Sequence, residues 1–238
     1  MKIIALIPAR GQSKSIPEKN IQPLKGIPLI AHSIKTSLSV KRIERTIVTT
    51  DSEEIAEVAR KYGAEVPFMR PESLSGDFSL DHEYHLHAVE ELAKAGYRPD
   101  VIVNFRPTQP LRRSELIERA LDAFLADSEA DCLRSVRRAE QTPYKMWFQK
   151  GHYLTPVLGS IEEDFFNQPR QKLPQALWQD GYVDMVRVAA LLKYRTTTGR
   201  KIMPFLIEEN TPDIDYADQL KKAEDYEPGS GRAPRYSS

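Results

Sequence analysis

Apolar residues recur along this chain in two rhythms, and the rhythms alternate. Lys2–Ile7 is a compact apolar run ended by Pro8, the pattern of a strand buried on both faces. Runs of similar character recur at Thr46–Thr50, Val101–Phe105, Asp131–Ser135, Tyr182–Val188 and Ile202–Ile207. Between them the spacing changes to that of a helix with one apolar face. In DSEEIAEVARKYGAEV, Ile55, Val58, Ala59 and Tyr62 share a face, Asp51 or Ser52 can cap the start, and Gly63 supplies the stop. Helices are predicted likewise at Pro28–Leu38, His82–Lys94 and Ser114–Phe124 (capped), with a last one from about Tyr216. Strands alternating with helices predict an α/β fold, a mostly parallel sheet with helices on both faces in three layers. Ligands of such sheets sit at the carboxyl ends of the strands. Three loops leave those ends here: residues 9–20, Asp51–Ser52 and Arg106–Arg113.

The rhythm breaks from about Pro143 to Val186. PYKMWFQKGHYLTPV reads as a hairpin turning at Lys150–Gly151, and Trp147, Phe148 and Tyr153 make it too aromatic for a solvated loop. DFFNQPRQKLPQALW has several prolines and no period. So apolar an insertion must cover its own domain or a partner subunit, and a homodimer is expected because the aromatics between Tyr144 and Phe166 need cover. The expected organisation is one domain over 1–226, with the insertion at about 140–180 and a disordered tail over 227–238. No internal repeat is present.

Charge excludes some partners. Lys plus Arg and Asp plus Glu both number 34, so nothing global draws the chain toward nucleic acid or an acidic membrane. The single cysteine, Cys132, forms no internal disulfide and reads as core filling in a reducing compartment. Met1–Pro8 is far too short for a signal peptide's apolar region or a membrane span. A cytoplasmic protein is expected. His82, His85 and His87 lie on one predicted helix without a completing metal ligand, and read as a partly exposed helix face rather than a zinc site.

The chemistry concentrates just past the first strand, in LIPARGQSKSIPEKNIQPLKGIPLI. Gly11 and its small neighbours let the backbone approach a ligand closely. Arg10, Lys14 and Lys19 add three cations within ten residues, and Asn20 adds an amide for a phosphate oxygen or a base. That is equipment for a triphosphate, although the stretch is neither a Walker A loop nor G-x-G-x-x-G. Near the other end, Asp213 and Asp215 stand two apart in PDID, on one face if extended. They could mount Mg²⁺, or Asp215 could cap the last helix.

IPARGQSKSIPEKNI resembles the signature IPARGGSKGIPRKNI of the CMP-sugar synthetases, the acylneuraminate cytidylyltransferase family. VTTDSEEIAEVARKYGAEV, FMRPESLSGD, VNFRPTQPLR, NQPRQKLPQALWQDGYVDMVR and TPDIDYADQL are similar to further segments of that family, in its order, over roughly residues 2–221. Gln12, Ser15, Glu18, Gln109 and Asp180 depart from its pattern, while Arg10, Ser13, Lys14, Lys19 and Asn20 match it.

The resemblance implies a nucleotide-diphospho-sugar transferase-like fold and a reaction of CTP with a 2-keto sugar acid of the sialic-acid type, releasing pyrophosphate. It implies Mg²⁺ on Asp213 and Asp215, and catalytic roles for Arg10, Lys19 and Asp215. Arg10, Ser13, Lys14, Asn20, Arg70 and Ser79 would bind the nucleotide. Arg70 could instead be a surface ion-pair partner. The sugar's carboxylate needs a cation, for which Arg106, Arg112, Lys145 and Arg170 are candidates. Gln171, Asp180, Tyr182 and Asp184 would lie near the sugar, and the insertion would cross to a neighbouring subunit. Alternative readings are a Kdo-like acceptor, GTP in place of CTP, or a nucleotide-binding module without turnover.

Overall fold

The computed structural model describes residues 1–209, 211–227 and 229, so all of the expected tail except 227 and 229 lies outside the described residues. The described residues divide into two compact units: Met1–Ser135 together with those described from Gly181, and Val136–Asp180.

In chain order the elements are β1 (Ile3–Pro8), β2 (Pro23–Leu24), β3 (Ile27–Pro28), α1 (Leu29–Ser39), β4 (Arg45–Thr49), α2 (Glu53–Lys61), α3 (Asp81–Lys94), β5 (Val101–Asn104) and α4 (Ser114–Ala126). There follow β6 (Cys132–Arg138), β7 (Trp147–Lys150), β8 (Tyr153–Pro156), β9 (Leu177–Arg187), α5 (Val188–Tyr194), β10 (Ile202–Leu206) and α6 (Ala217–Glu224). Six strands form one sheet in the order β10-β6-β9-β5-β1-β4. β1 runs parallel to both β4 and β5, while β9 pairs antiparallel with β5.

The sheet is buried on both faces because its strands alternate. Ile3, Ala5 and Ile7 of β1 join one core with Ile30 and Ile34 of α1, Ile55 of α2, and Ile117, Leu121 and Phe124 of α4. Ile4 and Leu6 join the opposite core with Tyr84, Leu86 and Leu92 of α3 and Leu191 of α5. A period of two in the strand thus feeds two helical layers. Cys132 packs in the second core, where burial pushes its thiol up to about 11.

Several predicted boundaries shift. Ser52 caps α2, its side chain accepting from the Ile55 amide at 3.3 Å. The cap expected on α4 is absent: Arg113 stands at its N-cap position without a side-chain bond. The strand predicted at Tyr182–Val188 begins earlier, ends at Arg187, and leads into α5, which the pattern did not disclose. VAALL is apolar all round, so it carries no helical period to read. The hairpin turns one residue later than predicted, at Gly151–His152, with φ +63° at Gly151.

His85 also departs from expectation. It is buried rather than on an exposed face, its Nδ1 donates to the Asp81 carbonyl at 2.6 Å, and its ring stacks on Tyr84. Burial lowers its imidazole to about 4 from 6.5. The unfolded chain therefore takes up a proton below about 6.5 that the folded chain refuses until about 4. Stability from this group is complete above pH 6.5 and declines through that window, by on the order of 3 kcal/mol. Urea melts at pH 7, 5.5 and 4.5 should show the decline, and His85→Gln should flatten it.

Candidate functional site

A third apolar cluster fastens the loop after β1 to the end of the chain. Ile16 of the loop, Leu24 of β2, Leu29 of α1, Leu111, Ile214 and Ala223 of α6 are buried together. Because Ile16 lies between Lys14 and Lys19 while Ile214 lies between Asp213 and Asp215, packing these two isoleucines sets cations opposite carboxylates. Lys19 Nζ donates to Asp215 Oδ1 at 3.1 Å and to the Ile214 carbonyl at 3.2 Å. Arg10, Ser13, Lys14, Ser15, Lys19 and Asn20 line one side of a cavity of about 260 Å³, and Asp215 and Tyr216 line the other.

Backbone contacts hold the loop's shape. The Gly11 amide donates to Asp51 Oδ1 at 2.8 Å, and Asn20 Nδ2 donates to the Arg10 carbonyl at 2.9 Å. A Cβ on Gly11 would lie 3.0 Å from Ser52 Cβ, so this approach of loop to α2 favours glycine. Asp77 reaches back from the segment after Arg70. Its carboxylate takes Arg10 at 2.8 Å on one oxygen and Lys14 at 2.5 Å on the other. These two cations hold the Asp77 carboxyl below its ordinary value, Lys14 foremost.

The choice left open for Asp213 and Asp215 narrows. Asp215 does not cap α6; instead the Gln219 side chain accepts from the amides of Asp215 and Tyr216 at 2.6 and 2.8 Å. Asp213 Oδ1 is buried without a partner. Burial, then the charge of Asp215, raises the Asp213 carboxyl above its ordinary value. An orphaned carboxylate oxygen beside a second carboxylate fits a magnesium ion that takes its other ligands from phosphate and water. No group of three or more His, Cys, Asp or Glu side chains able to hold a metal occurs among the described residues.

Arg70 is not a surface ion-pair partner. It is buried, its Nε donates to Thr49 Oγ1 at 3.1 Å, another nitrogen donates to the Thr49 carbonyl, and its guanidinium lies over the Tyr84 ring. Burial lowers its pKa. Ser79 is half-buried, its amide donating to the Gly76 carbonyl at 3.2 Å.

Arg106 sits between two carboxylates. It donates to Asp184 Oδ2 at 2.5 Å and to Asp81 Oδ2, while Arg134 approaches the same Asp184 oxygen at 2.7 Å. Burial opposes the charge on Arg106, but Asp184 and Asp81 outweigh it and raise its pKa. Arg112, a candidate for the acceptor's carboxylate, is buried and otherwise engaged. It donates to the carbonyls of Tyr182, Gln109 and Arg106 and to Ser33 Oγ. Tyr182 is fully buried, its hydroxyl accepting from the Arg113 amide at 2.7 Å.

The remaining candidates lie in the smaller unit. There Arg170 and Gln171 are exposed, and Arg170 donates to Gln141 Oε1 at 2.6 Å. Lys145 is half-buried. Asp180 is buried and pairs with Arg137 at 2.8 Å. Trp147 packs on Phe166 and Tyr144 on Phe165, yet Phe148, Tyr153, Leu154 and Trp178 remain exposed.

Sequence reasoning missed Asp77, the role of Asp51, and Tyr216. Asp77 ends the RPESLSGD segment, and Asp51 stands both as a possible cap and in a strand-end loop, but their partners are distant in sequence. Among the described residues no helix is long and apolar enough to cross a membrane.

Residues 4–149 match the family model described as "Cytidylyltransferase". The chain is 38% identical over 125 residues to the pseudaminic acid cytidylyltransferase of Campylobacter jejuni, covering 52% of this chain and 54% of that protein. It is 41% identical over 126 residues to the CMP-N,N'-diacetyllegionaminic acid synthase of Legionella pneumophila, covering 51% and 53%. These matches span about half the length of each relative. A solved CMP:2-keto-3-deoxy-manno-octonic acid synthetase complexed with CTP superposes with a TM-score of 0.70 at 18% identity, covering 94% of this chain and 97% of that one. That likeness is one of fold, an α/β sheet covered by helices. On the extent of the family match, the chain belongs to the cytidylyltransferase family.

Proposed function

We propose that this protein transfers CMP from CTP to the anomeric hydroxyl of a 2-keto sugar acid of the sialic-acid type (neuraminate, legionaminate or pseudaminate-like), releasing pyrophosphate. One observation carries the reading: the cavity of about 260 Å³ in which Arg10, Lys14 and Lys19 face Asp215, in a member of this family. The anomeric oxygen forms a bond to the α-phosphorus, the bond from that phosphorus to the bridging oxygen breaks, and the electron pair leaves with pyrophosphate. The hydroxyl proton passes to solvent. Such a transfer needs positioning and charge neutralisation more than covalent help. Arg10, Lys14 and Lys19 stabilise the charge developing on the leaving group, and Asn20 with Ser13 holds the nucleotide. Asp213 and Asp215 hold Mg²⁺, which when bound neutralises phosphate charge.

Arg70 and Ser79 border the nucleotide's base, and Arg106, oriented by Asp184, meets the acceptor. Lys145, Arg170, Gln171 and Asp180, in the smaller unit, bind the sugar acid, and the protein acts as a homodimer. The exposed Phe148, Tyr153 and Trp178 support that assembly. Sedimentation at micromolar concentration should find a dimer; a monomer contradicts this part. The setting proposed is the cytoplasm, where the nucleotide substrate is found.

Pyrophosphate release tests the reaction, with CTP or GTP against a panel of sialic-type acids and Kdo. Release with CTP and a nine-carbon acid is expected. Release only with GTP or only with Kdo would move the specificity, and none with any acid would leave a binding module. Gly11→Ala, which pushes the loop off Ser52, should raise the KM for CTP several-fold with little change in thermal midpoint. An unchanged KM would mean the loop gives way without moving its cations.

A further inference from the structure

We propose that Asp77 is an internal stand-in for phosphate: a carboxylate latch that holds Arg10 and Lys14 until a polyphosphate displaces it. The inference rests on the nucleotide reading of this cavity and adds a competitor to it. Asp77 does not line the cavity, yet it occupies two of the three cations that do, one on each carboxylate oxygen. A carboxylate spanning a guanidinium and an ammonium reproduces what two phosphate oxygens would offer them.

A second acid that contacts this loop, Asp51, behaves differently. Asp51 accepts from the backbone amide of Gly11, a bond that fixes the loop whatever the side chains do. Asp77 binds only the ends of two long side chains, and its own side chain is 35% exposed. Lys14 is 81% exposed, so it can swing from one anion to another at little cost. Lys19, in contrast, is only 14% exposed and tied to the Ile214 carbonyl as well as to Asp215. The loop therefore has a fixed part, built on Asp51, Asn20 and Lys19, and an exchangeable part, built on Asp77.

The consequence is a resting state in which all three loop cations are paired from within, two of them sharing the single charge of Asp77. Binding exchanges ion pairs rather than filling an empty positive pocket. When pyrophosphate is left after the transfer, Asp77 competes for the same cations and favours its departure.

Isothermal titration of inorganic pyrophosphate and of CTP with magnesium tests this on the full chain. Asp77→Asn should bind both about three- to tenfold tighter than the unaltered protein, the range expected for two exposed ion pairs lost as competitors. Asp77→Glu, which keeps the charge, should stay near the unaltered affinity. Glu72→Gln, a neighbouring acid that pairs with neither cation, should change nothing. Equal or weaker binding by Asp77→Asn overturns the latch and makes Asp77 a positioning group for Arg10. Equal tightening by Glu72→Gln also overturns it, since mere negative potential would then suffice. If the unaltered protein and all variants bind neither ligand, the nucleotide reading itself has failed, and the latch with it.

Discussion

Asp215→Ala is expected to lower pyrophosphate release from CTP and a sugar acid by about 10²- to 10³-fold, the scale of removing one preorganised charge from a transferring group. Asp215 faces the loop across the cavity and takes Lys19 at 3.1 Å. Its loss withdraws one of two carboxylates proposed for the metal and frees Lys19 from its orientation. The fold should survive, because the Asp215 side chain is exposed and α6 is capped by Gln219 instead. Asp215→Asn separates the contributions, since an amide oxygen can still accept from Lys19 but carries no charge. Steady-state assays beside thermal melts decide it: turnover retained in a folded Asp215→Ala protein removes Asp215 from the machinery.

The second large effect is on stability. Arg112→Met should destabilise the protein by about 3 kcal/mol or more, measured by urea unfolding. Arg112 donates to three backbone carbonyls and a serine hydroxyl in the interior, and burial brings its pKa down to about 10. Methionine fills much of the volume but leaves those carbonyls without donors, each at the cost of a buried unsatisfied group. They belong to Arg106, Gln109 and Tyr182, so the same residue shapes the loop after β5 and ties it to β9. A loss below about 1 kcal/mol would show that neighbouring donors replace it.

These two residues illustrate what a sequence discloses. The strands and most helices were legible because burial on one or two faces leaves a period, as in Ile3–Pro8 and in α2. α5 was hidden because VAALL is apolar on every side. The loop after β1 was legible from its cations, and Asp215 from its spacing to Asp213. Arg112 stood as one of four candidate cations for the acceptor's carboxylate, since an arginine among motif residues looks the same whether it faces a substrate or three carbonyls. Asp77 went unnoticed because Arg10 is 67 residues away. Pairings of that span are set by the sheet's topology, and composition carries no trace of them. The spacing of Asp213 to Asp215 is visible in the sequence, but its buried, unpartnered oxygen is a property of packing alone.

The central claim is that amides and cations beyond the first strand grip a polyphosphate opposite carboxylates near the far end of the chain. A crystal structure of the protein with CTP and magnesium tests it most directly. The account predicts phosphate oxygens within hydrogen-bond distance of Arg10, Lys14 and Lys19, with a metal ion between them and Asp215. A complex in which the nucleotide lies elsewhere, with Lys19 still paired to Asp215 and the cavity vacant, would contradict it.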